Sequence, residues 1–72
     1  MDKKIKAYEL AEILGVALET VRKYTLHGMP CKKQFNGRLL YDFYECIEWM
    51  KVRYPKRDME EVIKKYEMKE GN

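Results

Sequence analysis

The stretch Leu10-Ala11-Glu12-Ile13-Leu14-Gly15-Val16-Ala17-Leu18-Glu19-Thr20-Val21-Arg22-Lys23-Tyr24 decides the reading of this chain. It holds two apolar runs at helical spacing with a glycine between them. Ala7, Leu10, Ala11 and Leu14 recur at i, i+3, i+4 and i+7, which places them on one face of a helix over Ala7–Leu14. Gly15 ends that helix, because glycine adopts the left-handed conformation without a Cβ penalty. Val16 then fills the gap before a second helix over Leu18–Leu26. Leu18, Val21 and Thr25 face inward on this helix, with Tyr24 at the flank. Its other side is polar and partly basic. His27-Gly28-Met29-Pro30 stops it, with Gly28 as the cap and a proline that cannot continue a helix.

Outward from this stretch, Lys3–Lys6 reads as a polar lead-in. On the other side, residues 31–41 read as a β-hairpin. Asn36-Gly37 is a strong turn marker, and it predicts a two-residue type I′ turn with positive φ at both positions. Asp42, with Glu45 three residues on, reads as a capping box opening a third helix. Phe43, Cys46, Ile47, Met50 and Tyr54 share its inner face, and Pro55 ends it. Trp49 falls off that face and is expected to receive a fourth helix through Tyr66 or Val62. Asp58 with Glu61 repeats the capping pattern for helix four, whose apolar stripe is Met59, Val62, Ile63 and Tyr66. Lys69–Asn72 are expected to fray. The fold class is therefore mainly α with a small β-hairpin, in the order helix-helix-hairpin-helix-helix. A hairpin directly after two such helices makes a winged helix-turn-helix. Residues 1–54 form that domain. Residues 55–72 supply a helix that packs on helix three or serves as an interaction segment.

Composition narrows the function classes. A chain of 72 residues holds one small domain and leaves no room for an enclosed substrate cavity. Serine is absent, so no serine nucleophile exists. Asp42 and Asp58 are accounted for as caps, and Glu45 and Glu48 lie on the outer side of helix three. His27, Cys31 and Cys46 lack zinc-ligand spacing, and the two cysteines form no CxxC pair. No enzyme, no metal and no cofactor is expected. The N-terminus Met1-Asp2-Lys3-Lys4 shows no secretory leader, and no run approaches a membrane span, so a cytoplasmic protein with reduced thiols is expected.

Charge is unevenly spread. Residues 1–57 carry twelve Lys and Arg against seven Asp and Glu, whereas residues 58–72 carry three against five. A positive body with a mildly acidic tail suits a polyanion. Helix two offers Glu19, Thr20, Arg22 and Lys23 as exposed polar side chains. An arginine can pair with guanine or phosphate, a lysine favours phosphate, and Glu19 can accept from a cytosine amino group. The hairpin adds Lys32, Lys33, Gln34, Asn36 and Arg38, suited to the minor groove or flanking phosphates. These residues point to double-stranded DNA, with helix two in the major groove.

The run Tyr8-Glu9-Leu10-Ala11 through Leu14-Gly15-Val16 and Thr20-Val21-Arg22-Lys23-Tyr24 resembles the opening of MerR-type and excisionase-type winged helix domains. The run Gly37-Arg38-Leu39-Leu40-Tyr41-Asp42 through Ile47-Glu48-Trp49 is similar to their later segment. Small subunits of some phage terminases share the architecture. The resemblance spans about residues 5–52. It implies that Arg22 and Lys23 meet DNA and that the hairpin touches the adjacent groove or backbone. It further implies an excisionase-like architectural factor or a transcriptional regulator of phage or mobile-element type. The chain departs from the family at Ala17, where serine is usual, and at Lys23, where MerR-type regulators often carry tyrosine. It also lacks their long dimerisation helix. The partners this reading admits are DNA, a second copy or a cooperative array on DNA, and a recombinase or other phage protein. The competing reading is a protein-interaction adaptor that docks through Met59, Val62, Ile63 and Tyr66.

Overall fold

The computed structural model describes residues 4–70. It is mainly helical, with a small three-stranded antiparallel sheet. The elements run β1 (Lys4–Lys6), α1 (Ala7–Leu14), α2 (Leu18–Leu26), β2 (Lys32–Lys33), β3 (Leu39–Asp42), α3 (Phe43–Arg53) and α4 (Glu60–Glu70).

The α1–α2 corner follows from Gly15. Its φ of 73° lets the Gly15 and Val16 amides turn back onto the Glu12 and Ala11 carbonyls. This double closure satisfies carbonyls that a helix end otherwise leaves open, and it drops Val16 against the core. The end of α2 closes the same way, with the Met29 amide on the Tyr24 carbonyl at 3.0 Å and Met29 itself buried. At the start of α1, the Lys6 amide donates to the Glu9 carboxylate at 2.9 Å.

The expected hairpin gains a third strand. Lys4-Ile5-Lys6 is not merely a lead-in: it pairs antiparallel with β3, Ile5 opposite Tyr41. β2 pairs on the other edge, Lys32 opposite Leu40 and Lys33 opposite Leu39, so β3 is the central strand. Ile5 and Tyr41 are buried on the helix side. The Tyr41 hydroxyl meets Thr25 Oγ1 at 2.8 Å, and Thr25 also donates to the Val21 carbonyl. This link ties the sheet to α2.

The hairpin loop differs from the type I′ expectation. Only Gly37 has positive φ, at 89°, and Asn36 does not. Gly37 N–H donates to the Gln34 carbonyl, Gln34 N–H to the Arg38 carbonyl, and Arg38 N–H to Asn36 Oδ1. The loop is therefore the three residues Phe35-Asn36-Gly37, a type I turn closed by a left-handed glycine. The Asn36 amide carbonyl reaching Arg38 removes the need for a second positive φ.

Asp42 caps α3 by accepting from the Glu45 amide at 3.2 Å. Phe43, Cys46, Ile47 and Met50 are buried, and Tyr54 lies half-buried just past the helix end. Trp49 does not receive α4. It packs with Tyr24 and Tyr54, ring centroids 5.8 and 6.3 Å away, and the Arg53 guanidinium lies 5.5 Å from its ring. Asp58 does stand at the start of α4, but it accepts from the Glu60 amide rather than pairing with Glu61.

The stripe offered above to a partner is instead covered by the chain itself. Met59, Val62 and Tyr66 are buried and Ile63 is half-buried. Tyr66 stacks on Phe43 at 4.0 Å, at the first turn of α3, while much of α4 lies along α1. Arg57 donates to the Leu14 carbonyl at 2.9 Å and Lys65 to the Glu12 carbonyl at 3.3 Å. Cations on the last carbonyls of α1 oppose the negative end of its dipole. Lys69 bonds the Glu12 carboxylate at 2.8 Å; of the residues expected to fray, Gly71 and Asn72 lie outside the described residues. That pairing pulls the Glu12 carboxyl below its ordinary range and raises the Lys69 ammonium.

Candidate functional site

Three elements meet around a groove of about 470 Å³. One wall is the junction of β1 with α1, with Lys6, Ala7 and Tyr8. Another is α2, with Leu18 and Arg22. The third is the hairpin, with Gln34, Asn36, Gly37, Arg38 and Leu39. Tyr41 lines the groove beneath Arg22, which is close enough for its charge to act on the phenol; burial nevertheless pushes the Tyr41 hydroxyl above its usual range. The Tyr41–Thr25 hydrogen bond sets how far the hairpin stands from α2, and so sets the width of the groove.

The structure thus brings Arg22, Asn36 and Arg38 together. It distributes the other expected residues around them. Glu19 and Lys23 are exposed on α2, and Thr20 is half-buried. The exposed stripe of α2 runs Leu18, Glu19, Arg22, Lys23 and Leu26, behind which Val21 is fully buried. Leu18 was expected to face inward; at 36% exposure it lies at the groove mouth instead. Leu18 shares the face of Val21 and Thr25, but as the first residue of α2 it stands at the helix end, beside the groove, rather than over the core.

Strand alternation splits the two hairpin lysines. Lys33 lies opposite Leu39 and shares the helix side of the sheet with it. Lys32 lies opposite Leu40, with Lys4 on the far side, whereas Lys6, at the junction of β1 with α1, borders the groove. Lys32 lines a shallow depression on that far side with Lys4, Cys31, Leu40, Asp42 and Glu45, away from Arg22. Carboxylates temper that side, and Lys4 stands 4.0 Å from Asp42.

Among the described residues, the salt bridges join Lys4 to Asp42, Lys51 to Glu48 and Lys69 to Glu12. None engages Arg22, Lys23, Lys33 or Arg38. Among the described residues no carboxylate forms a salt bridge with them, and the bonds made by α4 and by Arg57 before it reach α1 and α3 instead.

Sequence reasoning did not find Lys6, Tyr8 or Leu18 as lining residues. The signal for Lys6 was the polar-apolar-polar alternation of Lys4-Ile5-Lys6, which is strand-like but only three residues long. Tyr8 is 60% exposed, the reverse of what its aromatic ring suggests, and Lys6 Nζ stands 5.9 Å from that ring.

Neither of the cysteines lies in the groove. Cys31 is exposed, whereas Cys46 is buried, donates to the Pro30 carbonyl at 3.6 Å and has its thiol pushed up to about 12 by burial. No protein-family model matches the chain, and no curated protein matches it.

Proposed function

We propose that the chain is a winged helix-turn-helix protein that binds double-stranded DNA, with α2 in the major groove and the β2–β3 hairpin as a wing on the flanking backbone. The observation that carries this reading is the shared groove. Arg22 of α2 and Arg38 with Asn36 of the hairpin line one concavity, and among the described residues no carboxylate forms a salt bridge with either arginine. A duplex presents base edges beside phosphates, and a short helix fits its major groove. Arg22 reads a base or clamps a phosphate, and Lys23, Lys33 and Arg38 displace condensed counterions. Leu18 and Leu26, exposed on the same stripe, suit thymine methyl groups.

In this reading the biological role is that of an excisionase-like architectural factor or a transcriptional regulator of phage or mobile-element type, acting in the cytoplasm. A second copy, or a recombinase bound beside it, extends the short site one domain can read. The adaptor reading relied on the stripe of α4, and the burial of Met59, Val62 and Tyr66 weighs against it.

The test is a salt series on duplex DNA selected from a random pool. Engagement of phosphates by Arg22 and Arg38 of the groove together with exposed Lys23 and Lys33 predicts a slope of log affinity against log salt of roughly −3 to −4. A slope near zero would favour the adaptor. Arg22→Ala is expected to weaken binding by about 1–3 kcal/mol and to relax sequence preference if Arg22 reads a base. Lys32→Ala, on the far side of the sheet, is expected to change the slope least.

A further inference from the structure

The tip of the hairpin carries a large apolar side chain with nothing over it. Phe35 is fully exposed, at 106% of its reference area. Its neighbours Gln34, Asn36 and Gly37 line the groove, and Phe35 projects beyond them. We propose that Phe35 is a wedge that enters the minor groove of the bound duplex and partly unstacks one base step, bending the DNA.

The proposal rests on the DNA-binding reading and adds to it how the DNA is deformed. Three features of the tip support it. The loop is ordered by three hydrogen bonds of its own: Gly37 N–H to the Gln34 carbonyl at 2.9 Å, Gln34 N–H to the Arg38 carbonyl at 2.8 Å and Arg38 N–H to Asn36 Oδ1 at 3.0 Å. Phe35 takes the first central position of that turn, and its ring is exposed to solvent before any partner arrives. Exposed Lys33 and Arg38 also flank the tip, neither of them in a salt bridge among the described residues, and they favour a polyanion over an apolar protein pocket. A polyanion that also offers an apolar slot is stacked nucleic acid, where apolar side chains enter between base steps and kink the duplex by about 20–90°. Pyrimidine–purine steps open most readily.

The experiment measures affinity and bend together, using a short duplex labelled with a fluorophore at each end and carrying a central TA step. The wild-type chain is compared with Phe35→Ala and Phe35→Leu. An exposed ring does not hold the fold, so both variants are expected to melt with the wild type. Wild type is expected to shorten the end-to-end distance. Phe35→Ala is expected to bind about tenfold more weakly or worse and to leave the duplex straight. Phe35→Leu retains an apolar wedge and is expected to keep most of the bend. If wild type binds and Phe35→Ala binds and bends equally well, the wedge is overturned while DNA binding stands. Weaker binding with an unchanged bend also overturns it, since the ring then touches the surface only. If wild type binds no duplex at low salt but binds vesicles containing phosphatidylglycerol, both the wedge and the DNA reading fall.

Discussion

Gly37 and Asn36 divide the work of the hairpin turn between them. Gly37 supplies the positive φ, and the Asn36 side chain closes the loop from an ordinary conformation. Nothing lies within 4 Å of a Cβ built on Gly37, so a substitution there meets backbone strain and no clash. Gly37→Val is therefore expected to cost about 1–2 kcal/mol through the forced conformation. Loss of cross-strand nuclear Overhauser contacts between β2 and β3 would report it. Gly37→Asn, which tolerates the left-handed region, should cost less. The two cysteines make a second contrast at this scale. At pH 8, iodoacetamide is expected to modify Cys31 in the folded chain and to reach Cys46 only in denaturant. Burial raises the Cys46 thiol from the ordinary 9.0 to about 12, so the fold favours its protonated form. That contribution is intact below pH 9 and declines as pH climbs toward 12. A denaturant midpoint that falls through this window, with Tyr41 contributing in the same direction, would bear this out. At this scale the chain was legible where one residue dictates one conformation, as at Gly15 and Asp42. It was not legible at Leu18 or Trp49, whose burial depends on which neighbour arrives.

Helices α1, α2 and α3 stand where apolar periodicity and stop signals put them, because both are local. Their caps differ in quality. Asp42 caps α3 with its side chain, whereas Ala17 offers α2 none, though its φ of −71° and ψ of 154° suit a capping residue. Ala17→Ser is expected to stabilise the chain by about 1 kcal/mol. In a domain this size that raises the melting temperature by about 4–8 °C. No change would mean that water already satisfies those amides. β1 escaped sequence reading because three residues carry too little alternation. It exists because Ile5 finds Tyr41 on a strand more than thirty residues away. The candidate site depends on this, since β1 ends at Lys6 and leads into the start of α1 at Tyr8, both of which line the groove.

At the scale of the molecule, α4 completes the core. Tyr66 lies flat against Phe43, and Arg57, Lys65 and Lys69 fasten the segment to the end of α1. Tyr66→Ala is expected to cost about 3–5 kcal/mol, as for other large aromatic truncations in cores. That is a large share of the stability of so small a domain. An unchanged melting temperature would show that the stripe serves a partner instead. The sequence by itself determined the helix faces, their ends, the existence of a hairpin and the basic bias of residues 1–57, because periodicity, turn chemistry and charge are written in neighbouring residues. Only the tertiary structure decided that Arg22, Asn36 and Arg38 share one groove, that Lys32 faces away from it, and that α4 leans on α1. Those outcomes follow from strand register, the Tyr41–Thr25 link and competition among apolar surfaces for cover. All three are pairings between residues distant in the chain, and no local pattern encodes them.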